Sequence, residues 1–217
     1  MTTSQRSTGK SERERAAPGG VELLALELQQ IQSAESQLSS VLPSLAEAVE
    51  SEQLRELLEL REKQGERILG ELEAAFGELE EDPPKKKNVA AEGLIEAAQE
   101  HIRELEEGPA LDAALIAGIQ KVEHYCIAAW GTARSLAEAT GHKTTVRAME
   151  QELEDGRSLD EKLTELAEKE ITPALLSEEV EGEGSEDEEG EQVGEQEGKQ
   201  AGRKGGGSGS RRQEPRH

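Results

Sequence analysis

Residues 24–45 read LALELQQIQSAESQLSSVLPSL, and the spacing of their leucines decides the fold. Leu24, Leu28, Ile31, Leu38, Leu42 and Leu45 advance by alternating fours and threes, which draws one apolar stripe along a helix of 3.6 residues per turn. The step between Ile31 and Leu38 lands on Glu35. The stretch therefore predicts a long helix that packs against others and carries one carboxylate on its packed side.

The same reading extends in both directions. A first helix is predicted over 21–49, with Pro43 able to kink it. A second follows Ser51, a good N-cap, and runs to 79, where Asp82-Pro83-Pro84 stops it. A short helix over 89–106 ends at Gly108-Pro109, a fourth runs on to 139 and Gly141, and a fifth covers 144–170 before Thr172-Pro173. Leu, Ala, Glu and Gln dominate, and the aromatics are only Phe76, Tyr125 and Trp130, a composition that suits helices and not strands. Two long hairpins joined by a connection with its own helix make an all-α, four-helix bundle with one crossover.

The 217 residues carry a formal net charge of -23. Residues 1–20 hold +2, residues 178–217 hold -6, and the predicted bundle, 21–177, holds -19. Both ends read as disordered tails: 178–197 is acidic and Gly-punctuated, and 198–217 is a Gly/Ser-rich basic stretch. An acidic bundle is a poor grip for nucleic acid or an anionic membrane, and only the basic C-terminal tail offers a weak contact. No apolar run is long enough to span a bilayer, and 1–20 lacks the apolar core of a secretory signal. The lone Cys126 allows no internal disulfide, so a cytoplasmic location is expected.

Polar intruders mark the other long helices too. Helix two reads Leu54, Leu58, Arg61, Gly65, Ile68, Leu72, Ala75, Leu79. Helix four reads Ile116, Ile119, Glu123, Ile127, Trp130, and helix five Val146, Met149, Leu153, Gly156, Asp160, Leu163. Four separate half-solvated positions would explain this, but one shared polar centre explains it more economically, because an unpaired buried carboxylate costs several kcal/mol. The compensating cation is either metal, as in bundles that hold two ions with Glu and Glu-x-x-His ligands, or the forked guanidinium of Arg61.

Several runs carry a family likeness: 33–38 (SAESQL), 92–96 (EGLIE), 111–117 (LDAALIA) and 121–125 (KVEHY) with Gly131-Thr132. Residues 21–176 resemble the YciE/YciF family of ferritin-like proteins. That resemblance implies a ferritin-like bundle, often a homodimer, associated in bacteria with stress responses and holding a di-metal carboxylate site.

Carried over residue by residue, the implied site is damaged. Glu35, Glu123 and Asp160 match acidic positions of the family pattern, and Glu92 matches one on the short helix. Where the pattern has Glu-x-x-His in helix two, this chain has Arg61 and Gln64. Cys126 and Gly156 replace further acids. The expectation is thus no cofactor, or one weakly held divalent ion, iron or manganese, on the remaining carboxylates; a full di-iron site is not expected. His124 is expected to point outward. Three functions stay open: a structural or interaction protein in stress tolerance, a metal-binding and oxidase-like protein, or a module acting through its charged tails.

Overall fold

Burial follows the leucine stripe. Leu24, Leu28, Ile31, Leu38, Leu42 and Leu45 are all at most 2% exposed, and the helix that carries them, α1, runs Gly20–Ala48 with Pro43 inside it. The computed structural model describes residues 19–81 and 86–177, and the compact unit ends at Leu175. The expectations for the two tails lie outside the described residues.

Helix α2 spans Glu52–Leu79, and its predicted cap forms: Ser51 Oγ accepts from the Leu54 amide at 3.3 Å. Glu80 closes it in the left-handed conformation. Helix α3 covers Val89–Glu104, α4 Pro109–Thr140 and α5 Lys143–Leu166, which continues into a π-helical turn, Ala167–Ile171. Among the described residues there is no strand, and no helix is long and apolar enough to cross a membrane.

The hairpin α1–α2 turns through Val49–Ser51, and α4 starts where that turn lies. Asp112, in the first turn of α4 and only 2% exposed, accepts from the Glu50 and Ser51 amides at 3.1 and 2.8 Å. At the other end, Gly20 abuts Thr140, so α4 runs antiparallel to α1. The pairs α1–α2, α2–α5, α5–α4 and α4–α1 close a four-helix bundle, and α3 lies across α1 and α4. Close approach of α3 to α4 depends on Gly118, where a Cβ would sit 2.9 Å from that of Ala98.

Asn88 anchors the crossover. Its Oδ1 accepts from the Ala90 and Ala91 amides at 3.1 Å, capping α3. Its Nδ2 donates to the Gln30 carbonyl at 3.1 Å and to Tyr125 Oη at 2.5 Å, and its own amide donates to Ser33 Oγ at 2.9 Å. One buried side chain thus ties α1, α3 and α4 together.

The seam of α5 differs from expectation. Met149, Leu153, Gly156 and Leu163 face inward as expected, but Thr145, Glu152, Leu159 and Leu166 join them, and Val146 is half-buried. Asp160 is only half-buried, because beyond Gly156 the bundle takes the apolar Leu159 and leaves the adjacent carboxylate at the rim.

Candidate polar centre of the bundle

Glu35 on α1, Arg61 on α2 and Glu123 on α4 are each at most 1% exposed and meet inside the bundle. Arg61 Nη2 donates to both oxygens of Glu35, at 3.0 and 2.9 Å. Its Nε donates to Glu123 Oε1. The guanidinium also faces the Trp130 ring, 5.8 Å from its centroid. Gly65, one turn along α2, gives the group room: a Cβ there would lie 2.7 Å from Ser39 Oγ and 3.4 Å from Arg61 Nη1.

The electrostatics follow from burial. Desolvation works against the Arg61 cation, but Glu123, Glu35 and Cys126 outweigh it and hold its pKa well above the ordinary value. Burial pushes the Glu123 carboxyl up, Arg61 pulls it down, and Glu35 and Asp160 push it up again. Burial raises the Cys126 thiol well above its usual range, with Glu35 and Glu123 adding to the effect. Glu123 Oε2 is buried without a hydrogen-bond partner.

Two residues named in the sequence lie elsewhere. Asp160 does not reach Arg61; its Oδ1 accepts from Gln120 Nε2 at 3.0 Å and lies 3.4 Å from Nε2 of the exposed His124. Glu92 pairs with Lys87 at 2.6 Å at the surface of α3, because Ala91 and Ile95, not Glu92, take the packed face of that helix. Gln64 is half-buried, whereas Cys126 and Gly156 are fully packed. Of the other acids near Arg61 on α2, Glu62 is half-buried and Glu66 exposed, and Arg61 is the residue turned fully inward.

Sequence reasoning missed a further buried carboxylate, outside this centre. Glu152, 1% exposed, accepts from Arg67 Nη2 and Nε at 2.6 and 3.1 Å, and the same Nη2 reaches Asp155 at 2.7 Å. The signal was the Met149, Glu152, Gly156 spacing, a three-then-four step as regular as the one through Leu153.

The family described as a domain of unknown function, DUF892, matches residues 21–176. YciF of Escherichia coli (strain K12) is 42% identical over 139 residues, 62% of this chain and 82% of that protein. The chain belongs to the YciE/YciF family. The crystal structure of the E. coli stress protein YciF superimposes with a TM-score of 0.68 at 34% identity, covering 72% of this chain and 99% of that one. YcfI of Rhodopseudomonas palustris, described as a proposed structural protein, gives 0.65 at 31%, covering 70% and 96%. The ferritin-like bundle is therefore the family's own fold.

The di-metal centre implied for YciE/YciF proteins does not fit the donor set present here. A guanidinium offers only donors and repels a metal ion, and Arg61 stands between the two carboxylates that would have to ligate one. Among the described residues, no three His, Cys, Asp or Glu side chains converge closely enough to hold a metal.

Proposed function

We propose that this chain is a YciE/YciF bundle in which an internal cation, Arg61, has taken the place of the metals, leaving a structural or protein-interaction role in stress tolerance. The observation that carries the reading is the buried Arg61 guanidinium bonded at once to Glu35 and Glu123. Such a centre holds three helices in register and puts a cation where a metal would have to bind. Descriptions of the relatives as a stress protein and a proposed structural protein agree with it. Anaerobic iron titration followed by elemental analysis tests the reading: no tightly held iron is expected, and about two irons per chain would overturn it.

One observation favours a second reading, a single weakly held iron or manganese ion. Glu123 Oε2 has no partner, and Asp160 is close enough to act on the same carboxyl. On that reading Glu35→Leu abolishes metal uptake while the helices persist. The family resemblance also supports a cytoplasmic homodimer, which light scattering on the purified chain checks.

A further inference from the structure

Helix α3 stands apart from the ring of four. The pairs α1–α2, α2–α5, α5–α4 and α4–α1 close the bundle without it, and it packs across α1 and α4. Of its 16 residues only Ala91, Ile95 and Ala98 are fully buried, and two of those three are alanines. Ordering a helix costs backbone entropy at every residue, and so small an apolar stripe returns little of it.

Polar anchoring makes up the difference, and it is concentrated at one end. Beyond capping α3, the Asn88 side chain donates to the Gln30 carbonyl on α1 and to Tyr125 Oη on α4. Its amide donates to Ser33 Oγ, and its carbonyl accepts from Gln37 Nε2 at 3.2 Å. At the other end the chain passes into α4 through Gly108, whose φ of +152° disfavours any residue with a side chain. Asn88 thus has the geometry of a catch and Gly108 that of a hinge.

The face that α3 covers on α4 is apolar. Gly118 lies against Ala98, and Tyr125 is bonded to Asn88. Leu115 and Val122 share that face, because 115, 118, 122 and 125 advance by threes and fours, and they are 0% and 1% exposed.

We propose that α3 is a strap that detaches from the bundle as one cooperative unit while α1, α2, α4 and α5 stay packed. Asn88 is its catch, and release uncovers the stripe of α4 from Leu115 to Tyr125. The bundle thereby carries a concealed apolar face that is available only while the strap is open.

The test is native-state hydrogen exchange of the full chain at low urea concentrations, for the native protein, Asn88→Ala and Ile68→Val. Ile68, on α2 and 0% exposed, belongs to the four-helix core. In the native protein, α3 amides should exchange faster than those of α2 and α5, through an opening that responds less to urea because it exposes less surface. Asn88→Ala should speed α3 exchange about ten- to hundredfold, since a cap and two further side-chain bonds are lost. Ile68→Val weakens the closed and strap-open forms alike, so it should speed α2 and α5 exchange about three- to tenfold and leave α3 unchanged. In a Cys126→Ser background, Val122→Cys should react with iodoacetamide at a rate that Asn88→Ala raises and Ile68→Val leaves alone.

An α3 with the same protection and urea response as α2 and α5 would overturn the proposal, as would an Ile68→Val that speeds all the helices equally or an Asn88→Ala that leaves α3 exchange unmoved. A labelling rate at position 122 that rises with Ile68→Val would mean that the stripe stays covered until the whole bundle unfolds, and overturns it too. Should Asn88→Ala fail to fold, exchange in the native protein and in Ile68→Val still decides.

Discussion

A Cβ placed on Gly156 would lie 2.5 Å from Cζ3 of Trp130, so the indole occupies the volume that any longer residue on α5 would need. The same ring faces Arg61. The bare backbone at 156, the indole of α4 and the guanidinium of α2 are thus one interlocking arrangement. An acid placed at 156 would meet the ring before it met any cation.

The first prediction concerns that contact. Gly156→Ala gains about 1 kcal/mol of helix propensity but overpacks the ring, at about 1–3 kcal/mol. Urea unfolding should show the variant destabilised, with altered Trp130 fluorescence. If Trp130 is first shortened to Leu, the same alanine should become neutral or stabilising. Equal effects of the alanine in both backgrounds would show that the indole is not the obstacle.

The central ion pair yields the second. Arg61→Met leaves Glu35 and Glu123 buried without a cation and should cost about 3–5 kcal/mol. The triple variant Arg61→Met, Glu35→Leu, Glu123→Leu removes all three charges together. It should recover that loss or exceed native stability by about 1–4 kcal/mol. Chemical denaturation of the two proteins makes the comparison. A triple variant less stable than the native chain would mean that the polar centre is a net source of stability.

How far the sequence carries depends on what each residue signals. The leucine stripe of α1 and its interruption at Glu35 identify both the helix and its buried face, because only burial explains the regular fours and threes. Arg61 and Glu123 are legible for the same reason. On α5 the stripe forks at Gly156: three residues on lies Leu159, four on lies Asp160, and both continue a helical period. A family motif points to Asp160, but removing Leu159 from water outweighs it, so the aspartate sits at the rim with Gln120 and His124. Asp112 was invisible in a different way. Its role depends on the α1–α2 turn, 61 residues away in sequence, and helical periodicity says nothing about such contacts.

That turn supplies the third prediction. Asp112 caps two amides of Glu50 and Ser51 from another helix, and at 2% exposure no water replaces it readily. Asp112→Ala should cost about 2–3 kcal/mol, more than a typical exposed cap, because hydrogen bonds to a charged group are lost and buried donors are left unpaired. Hydrogen exchange should speed up first at the start of α2. Unchanged protection there would mean that the turn holds itself.

Cys126 gives the last. Its thiol is 2% exposed, and burial together with Glu35 and Glu123 raises its pKa well above the ordinary range, so the nucleophilic thiolate is scarce in the native state. Iodoacetamide at pH 8 should therefore label the folded protein only as fast as the bundle opens. Arg61→Met should accelerate labelling through lower stability, although it also removes the one cation that favours the thiolate. These two effects oppose each other, so the direction of change separates them: faster labelling means that access limits the reaction, slower labelling that thiolate formation does. Access is expected to win, since a destabilisation of about 3–5 kcal/mol multiplies the open population by roughly two to four orders of magnitude.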